Sequence, residues 1–260
     1  MQKTKKVISR RSFTKLSATA LAGLPFMGFK NNPYQTTTKF KNEIQVHLFS
    51  KHLQFLDYED MAAAASELGF DGLDLTVRPK GHVLPERVVD DLPKAVEAMH
   101  TYDIKPSMMT TNIWDSGNLV HRSVLETASK LGFLYYRTGW LRYPENRSIT
   151  ESQSIYAEEA KDLEKLNTHF GLVGCYQNHA GNHVGAPIWD LPSILDLTEN
   201  KHIGCQYDIR HAVVEGGQSW ELGLRLISPY IRSIVIKDFK WGKINGIWKP
   251  VNVPLGKGVV

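Results

Sequence analysis

The chain has 260 residues, with 31 Lys and Arg against 27 Asp and Glu, a formal net charge of +4 and 42% hydrophobic side chains. The first 30 residues hold seven of the basic side chains and no acid, so the remainder carries 24 basic against 27 acidic groups, a net charge of −3. A weakly acidic body of roughly 220 residues suits one domain with a sizeable core, and it excludes the clustered Lys and Arg by which nucleic-acid binders neutralise phosphates.

Lys3, Lys5, Lys6, Arg10, Arg11 and Lys15 precede an apolar run from Leu16 to Phe29, the charged and hydrophobic regions of an export signal. Within it, Ser9-Arg10-Arg11-Ser12-Phe13-Thr14-Lys15 has the paired arginine, Phe and Lys of a twin-arginine signal. Residues 1–30 are therefore expected to be a leader for periplasmic export. A disordered basic tail or a membrane anchor are the alternatives; the run is short and rich in Gly, Ala and Ser for a stable spanning anchor, and no Cys lies beside it for lipid attachment. Residues 31–42 lack apolar periodicity and read as a linker, which makes 43–260 the folded domain.

From there, strand-like runs alternate with amphipathic helical stretches. The strands are expected at Ile44–Phe49, Gly72–Val77, Lys105–Thr111, Tyr135–Gly139, Leu172–Asn178, Ile203–Ile209 and Arg232–Phe239. The helices are expected at Tyr58–Leu68, Leu92–Tyr102, Val120–Leu131, Glu151–Phe170, Leu191–Thr198 and Trp220–Ile227. Leu68-Gly69-Phe70, Leu131-Gly132-Phe133 and Phe170-Gly171-Leu172 each place a Gly at a helix C-cap just before the next strand, the punctuation of repeated βαβ units. Seven units are one short of a closed (β/α)8 TIM barrel, so the eighth is expected in roughly 25 to 45 further residues. An open seven-stranded barrel would expose strands one and seven as edges and invite pairing with another chain, a homo-oligomer included. The competing fold, a doubly wound open sheet, lacks its Gly-rich phosphate loop, since Leu48-Phe49-Ser50-Lys51-His52 follows the first strand. Cys175 and Cys205 lie inside strands after a Gly, as core cysteines or as a periplasmic disulfide.

In a barrel the chemistry collects just after each strand. The fifth strand runs into Gln177-Asn178-His179-Ala180-Gly181-Asn182-His183, the sixth into Asp208-Ile209-Arg210-His211, and the seventh into Lys237-Asp238-Phe239-Lys240-Trp241. Asp208 and His211 suit a divalent ion of Mn, Co, Zn or Mg, with Gln177 as a third and weaker ligand; alternatively Asp208 caps a turn and His211 is a surface side chain. Lys237 shares a strand face with Val235, and is either a group that meets a substrate oxygen or half of a Lys–Asp pair. His179, His183, Arg210 and His47 are candidate contacts for sugar hydroxyls, and Trp114 a candidate for stacking on a sugar ring or for ordinary packing.

Gln177-Asn178-His179, Asp208-x-x-His211, Ile236-Lys237-Asp238 and Phe70-Asp71-Gly72-Leu73-Asp74-Leu75 together resemble the sugar phosphate isomerase/epimerase family with its xylose-isomerase-like barrel, over nearly all of residues 43–260. Gly81-His82-Val83-Leu84-Pro85-Glu86 and the run from Lys237 to Gly258 resemble a secreted bacterial branch of it. The resemblance implies one divalent metal held by Glu, Asp, His and Glu from strands five to eight. Here those places are Gln177, Asp208, Val235 and a residue beyond Val260, so only Asp208 matches. The implied reaction is proton abstraction next to a sugar carbonyl, with Asp208 as ligand or base, Lys237 meeting the oxyanion, and His211 and His179 positioning the substrate. Two alternatives stay open: a keto-glycoside lyase using the same chemistry, and a carbohydrate-binding barrel that has lost catalysis. A phosphodiesterase on this barrel needs a His- and Glu-rich metal cluster and a basic groove, neither of which the sequence shows.

Overall fold

The computed structural model describes residues 44–260. The leader and linker lie outside the described residues.

Seven parallel strands form one sheet in chain order, curled with helices on its outside. They are β1 (His47–Phe49), β2 (Gly72–Thr76), β3 (Lys105–Thr110), β4 (Tyr135–Arg137), β5 (Val173–Gln177), β6 (Ile203–Asp208) and β7 (Ile231–Val235). The helices between them are α1 (Tyr58–Glu67), α2 (Val88–Thr101), α3 (Leu119–Lys130), α4 (Ile149–Phe170), α5 (Asp190–Leu195), α6 (Ile209–Gly216) and α7 (Trp220–Ile227). The α/β barrel expectation therefore holds for its first seven units. The C-cap glycines do what their spacing implies: Gly69, Gly132 and Gly171 take φ of 77°, 88° and 67°, a left-handed turn that only Gly enters freely.

Alternation along each strand separates two faces. Leu73, Leu75, Met109, Tyr136, Tyr176 and Tyr207 point outward and are fully buried beneath the helices. The Tyr136 hydroxyl reaches Asn167 of α4 (2.7 Å), which fixes that face as the helix side. Asp74, Thr76, Thr110, Arg137, Gln177 and Asp208 occupy the alternate positions and face the interior of the curl. A polar interior beside an apolar outer shell puts the strand-end side chains together on one rim.

The last expected strand departs from the structure. Parallel pairing with β6 stops at Val235, and the chain leaves the sheet at Ile236 and Lys237. Asp238–Ile244 (β8) then pairs antiparallel with Ile247–Val253 (β9) around Asn245-Gly246, whose φ values of 52° and 79° belong to a tight hairpin turn. Asp238 clasps the segment that follows the hairpin, accepting from the backbone N–H groups of Phe239, Lys257, Gly258 and Val260. Burial pushes its carboxyl up, but those four donors outweigh it and hold the group below the ordinary range.

Helix α6 is a second departure, for it begins at Ile209 where a loop is expected, and His211 lies in its first turn. Cys175 and Cys205 are buried free thiols, pushed up to about 12 and further by burial, so the disulfide alternative falls.

Candidate functional site

Asp208 ends β6 and is the N-cap of α6: its Oδ1 accepts from the backbone N–H of His211 (3.1 Å). Its other oxygen, Oδ2, accepts from Gln177 Nε2 at the end of β5 (2.8 Å) and from Lys237 Nζ at the exit of β7 (2.6 Å). Asn178 locks the backbone of Asp208 from both sides, through Asp208 N to Asn178 Oδ1 (2.7 Å) and Asn178 Nδ2 to Asp208 O (3.1 Å). The Asp208 side chain is 0% exposed while that of Lys237 is 38% exposed. Asp208 is thus sealed by its donors, and the ammonium it holds is the charge the interior can reach.

The Gln177 amide is oriented by a second charge. Arg137 Nη1 donates to Gln177 Oε1 (3.4 Å), so the NH2 end of that amide faces Asp208. Arg137 Nη2 donates to Thr111 O (3.0 Å), and the guanidinium lies over the Trp140 ring, 4.2 Å from its centroid. Burial pushes Arg137 down to about 10, which leaves it charged at neutral pH.

From Trp140 a row of rings continues along the rim: Trp140 to His179 at 4.3 Å, His179 to His183 at 4.6 Å and His179 to His211 at 4.4 Å between centroids. His179 Nδ1 is buried without a partner. Burial lowers His179, helped by its neighbour His183. Burial also pushes His211 down to about 4, with His179, Lys237 and Arg210 working the same way against Asp208. His211 is therefore neutral at pH 7, and its Nε2, 3.8 Å from Asp208 Oδ2, makes no ion pair.

A second carboxylate faces the interior from β2. Asp74 Oδ1 accepts from Thr110 Oγ1 on β3 (2.8 Å), and burial pushes its carboxyl up to about 6, against the pull of Thr110, Arg137 and Arg78. Asp74, Arg137 and Trp140 are site residues that the strand-end reading passed over. The signal was present in Leu73-Asp74-Leu75 and Tyr135-Tyr136-Arg137, where a charge alternates with buried apolar neighbours.

Six of the expected residues thus converge: Gln177, His179, His183, Asp208, His211 and Lys237. Arg210 meets His211 Nδ1 through its Nη1 (3.4 Å) and also extends to the hairpin, over the Phe239 ring (5.7 Å) and toward Pro250 O (3.4 Å). Trp114 is not brought to the rim. It is 8% exposed, packs edge-on to Tyr176 (5.6 Å) and donates to Glu159 Oε2 (2.6 Å), because the residues after β3 turn outward toward α4. His47 opens β1, at the other end of the strand from the rim, where its Nε2 meets Ser107 Oγ (2.6 Å).

The arrangement does not fit a divalent ion at Gln177, Asp208 and His211. Gln177 offers that carboxylate N–H donors rather than its carbonyl oxygen, and an ammonium already sits on Asp208 Oδ2. Among the described residues no group of three or more His, Cys, Asp or Glu is placed to hold a metal. None of their helices is long and apolar enough to cross a membrane.

Comparison with known proteins agrees with this architecture. The family profile described as xylose isomerase-like TIM barrel matches residues 62–260. No curated protein sequence matches the chain. Among solved structures, a xylose isomerase-like TIM barrel protein from Mycobacterium smegmatis in complex with magnesium is 13% identical, with a TM-score of 0.62 over 83% of this chain and 82% of that one. The IOLI protein with a bound zinc atom is 15% identical, with a TM-score of 0.63 over 84% of this chain and 81% of that one. The 3-keto-D-glucoside 4-epimerase from E. coli is 12% identical, with a TM-score of 0.57 over 74% of this chain and 78% of that one. At these identities the likeness is one of fold.

Proposed function

The chain belongs to the xylose isomerase-like TIM barrel family, and from that premise we propose that it is a sugar isomerase or epimerase that moves a proton on the carbon next to a carbonyl, with Lys237 supplying the positive charge. The observation that carries this reading is the 2.6 Å contact between Lys237 Nζ and the sealed carboxylate of Asp208. A C–H next to a carbonyl is too weak an acid to ionise unless the developing enolate oxygen meets fixed positive charge. Asp208 fixes the Lys237 head, and Gln177 and the α6 N-terminus fix Asp208 in turn. Asp208 is a positioning residue in this scheme, because its oxygens are taken and none of its side chain is exposed.

The ring row formed by Trp140, His179 and His183 suits the C–H face and hydroxyls of a sugar. A keto-sugar substrate is consistent with the named activity of the E. coli neighbour. If residues 1–30 act as an export leader, the substrate is a free sugar or keto-sugar rather than a sugar phosphate.

The test is C–H exchange in D2O, followed by 1H NMR over a panel of ketohexoses and methyl 3-keto-D-hexosides, before and after EDTA treatment. The expected result is exchange that survives chelation and falls about 10²–10³-fold in Lys237→Met. Stoichiometric metal, with exchange lost on chelation and restored by the ion, would overturn the lysine-centred reading. Binding of the panel without exchange would identify a carbohydrate-binding barrel instead.

A further inference from the structure

The proposed reaction needs a group that takes the proton, and Asp208 does not supply it. The facing wall does. β2 and β6 lie four strands apart in the curled sheet, and Asp74 stands at the middle of β2 with its carboxylate toward the interior. Thr110 Oγ1 is its one hydrogen-bond partner among the described residues. Its second oxygen has none, yet is not among the buried atoms left unpartnered, so it opens to the interior. Arg137 is near enough to act on the charge of Asp74, but gives its Nη atoms to Gln177 and Thr111 and forms no ion pair with it. A largely enclosed carboxylate with one neutral donor is costly to maintain, and such groups concentrate where proton transfer is needed.

We propose that Asp74 is the one group of this site that carries the carbon-bound proton, acting on one face of an open-chain sugar whose oxygens are met by Lys237, so that the reaction is an aldose–ketose isomerisation. This rests on the reading above. Asp74 carboxylate takes the proton from the carbon beside the carbonyl; the C–H electron pair becomes the C=C bond, and the carbonyl π pair moves to its oxygen. Lys237 gives that oxygen a proton and recovers one from the neighbouring hydroxyl. The C=C pair then takes the proton back from Asp74 at the adjacent carbon. Atoms and charge balance, and no other reactant enters.

Transfer by one group on one face leaves a mark in the product. Part of the label carried on the abstracted carbon passes to its neighbour, and solvent deuterium enters with a single stereochemistry. The base form is needed, so the rate rises with pH through about 6, the value to which burial pushes Asp74. The charged groups that act on Asp74 are Arg78 and Arg137; the nearby Cys175 thiol stays neutral.

The experiment compares wild type, Asp74→Asn, Asp74→Glu and Lys237→Met on D-fructose, D-xylulose and D-tagatose in D2O between pH 5 and 8, with unfolding temperature and probe affinity measured alongside. Asp74→Asn is expected to keep its fold and its affinity while losing about 10²–10⁴-fold in exchange, and Asp74→Glu to recover part of it. Wild-type exchange in Asp74→Asn, or deuterium delivered to both faces by the wild type, would overturn the inference while leaving the Lys237 reading standing. A wild type with no exchange on any probe would overturn both.

Discussion

The β6–β7 rim and the β2–β3 wall each point an aspartate at the same interior, one fully buried and one half-buried, and they treat it in opposite ways. Asp208 at the rim takes hydrogen bonds from a backbone N–H, an amide and an ammonium; Asp74 on the wall has one hydroxyl. Donor count and depth together separate the carboxylate that builds the site from the one with an oxygen left open to the interior. The sharpest way to break that contrast is Asp208→Ala. It removes the α6 cap, orphans the Gln177 amide and releases Lys237, at an expected cost of about 2–4 kcal/mol, read as a fall in unfolding temperature of order 10 °C, with turnover lost besides.

Asp74→Asn is expected to move stability the other way. An acid whose folded pKa is raised destabilises the fold above that pKa, and the penalty is relieved as pH falls toward the unfolded value. With a folded value of about 6 against 3.8, Asn should gain about 1–2 kcal/mol at pH 7 in urea unfolding. The gain should vanish below roughly pH 4, where both states are protonated. Thr110→Val removes the one donor to Asp74, so the acid limb of the exchange profile should move to higher pH, at about 1 kcal/mol in stability. Trp140→Phe has the smallest expected effect, about 0.5 kcal/mol through the weaker contact with Arg137, measured by thermal unfolding.

Apolar periodicity and Gly punctuation placed the seven strands and six of the helices, because these patterns record burial directly. Where strand termini shifted, they did so by one to three residues, except that the expected seventh strand overran the end of β7 by four, from Val235 to Phe239. The hairpin was legible in Ile244-Asn245-Gly246-Ile247, a strong turn signal, yet the apolar run through Phe239 reads equally well as a longer seventh strand. Helix α6 was hidden because it starts directly at its cap residue, with no loop between strand and helix. At the site, proximity to strand ends found Gln177, Asp208, His211 and Lys237. It misplaced Trp114, whose direction is set by outward packing that no linear pattern carries. Arg137 went unremarked, and Asp74 was noted only within the Phe70–Leu75 motif and not as a site residue, since their partners lie on other strands.

β6 has all six residues buried, whereas β7 has none and pairs, among the described residues, only with β6. Ile234 within it, and Ile236 just beyond its end, are more than half exposed. Amide protons should therefore exchange with solvent slowly along β6 and quickly along β7, by local opening that leaves the rest of the sheet closed. Lys237 hangs from the fast edge and Asp208 from the slow one. The ion pair thus joins a rigid clamp to a loose jaw, and a ligand engaging Lys237 would be read out first as slower exchange of the β7 amides.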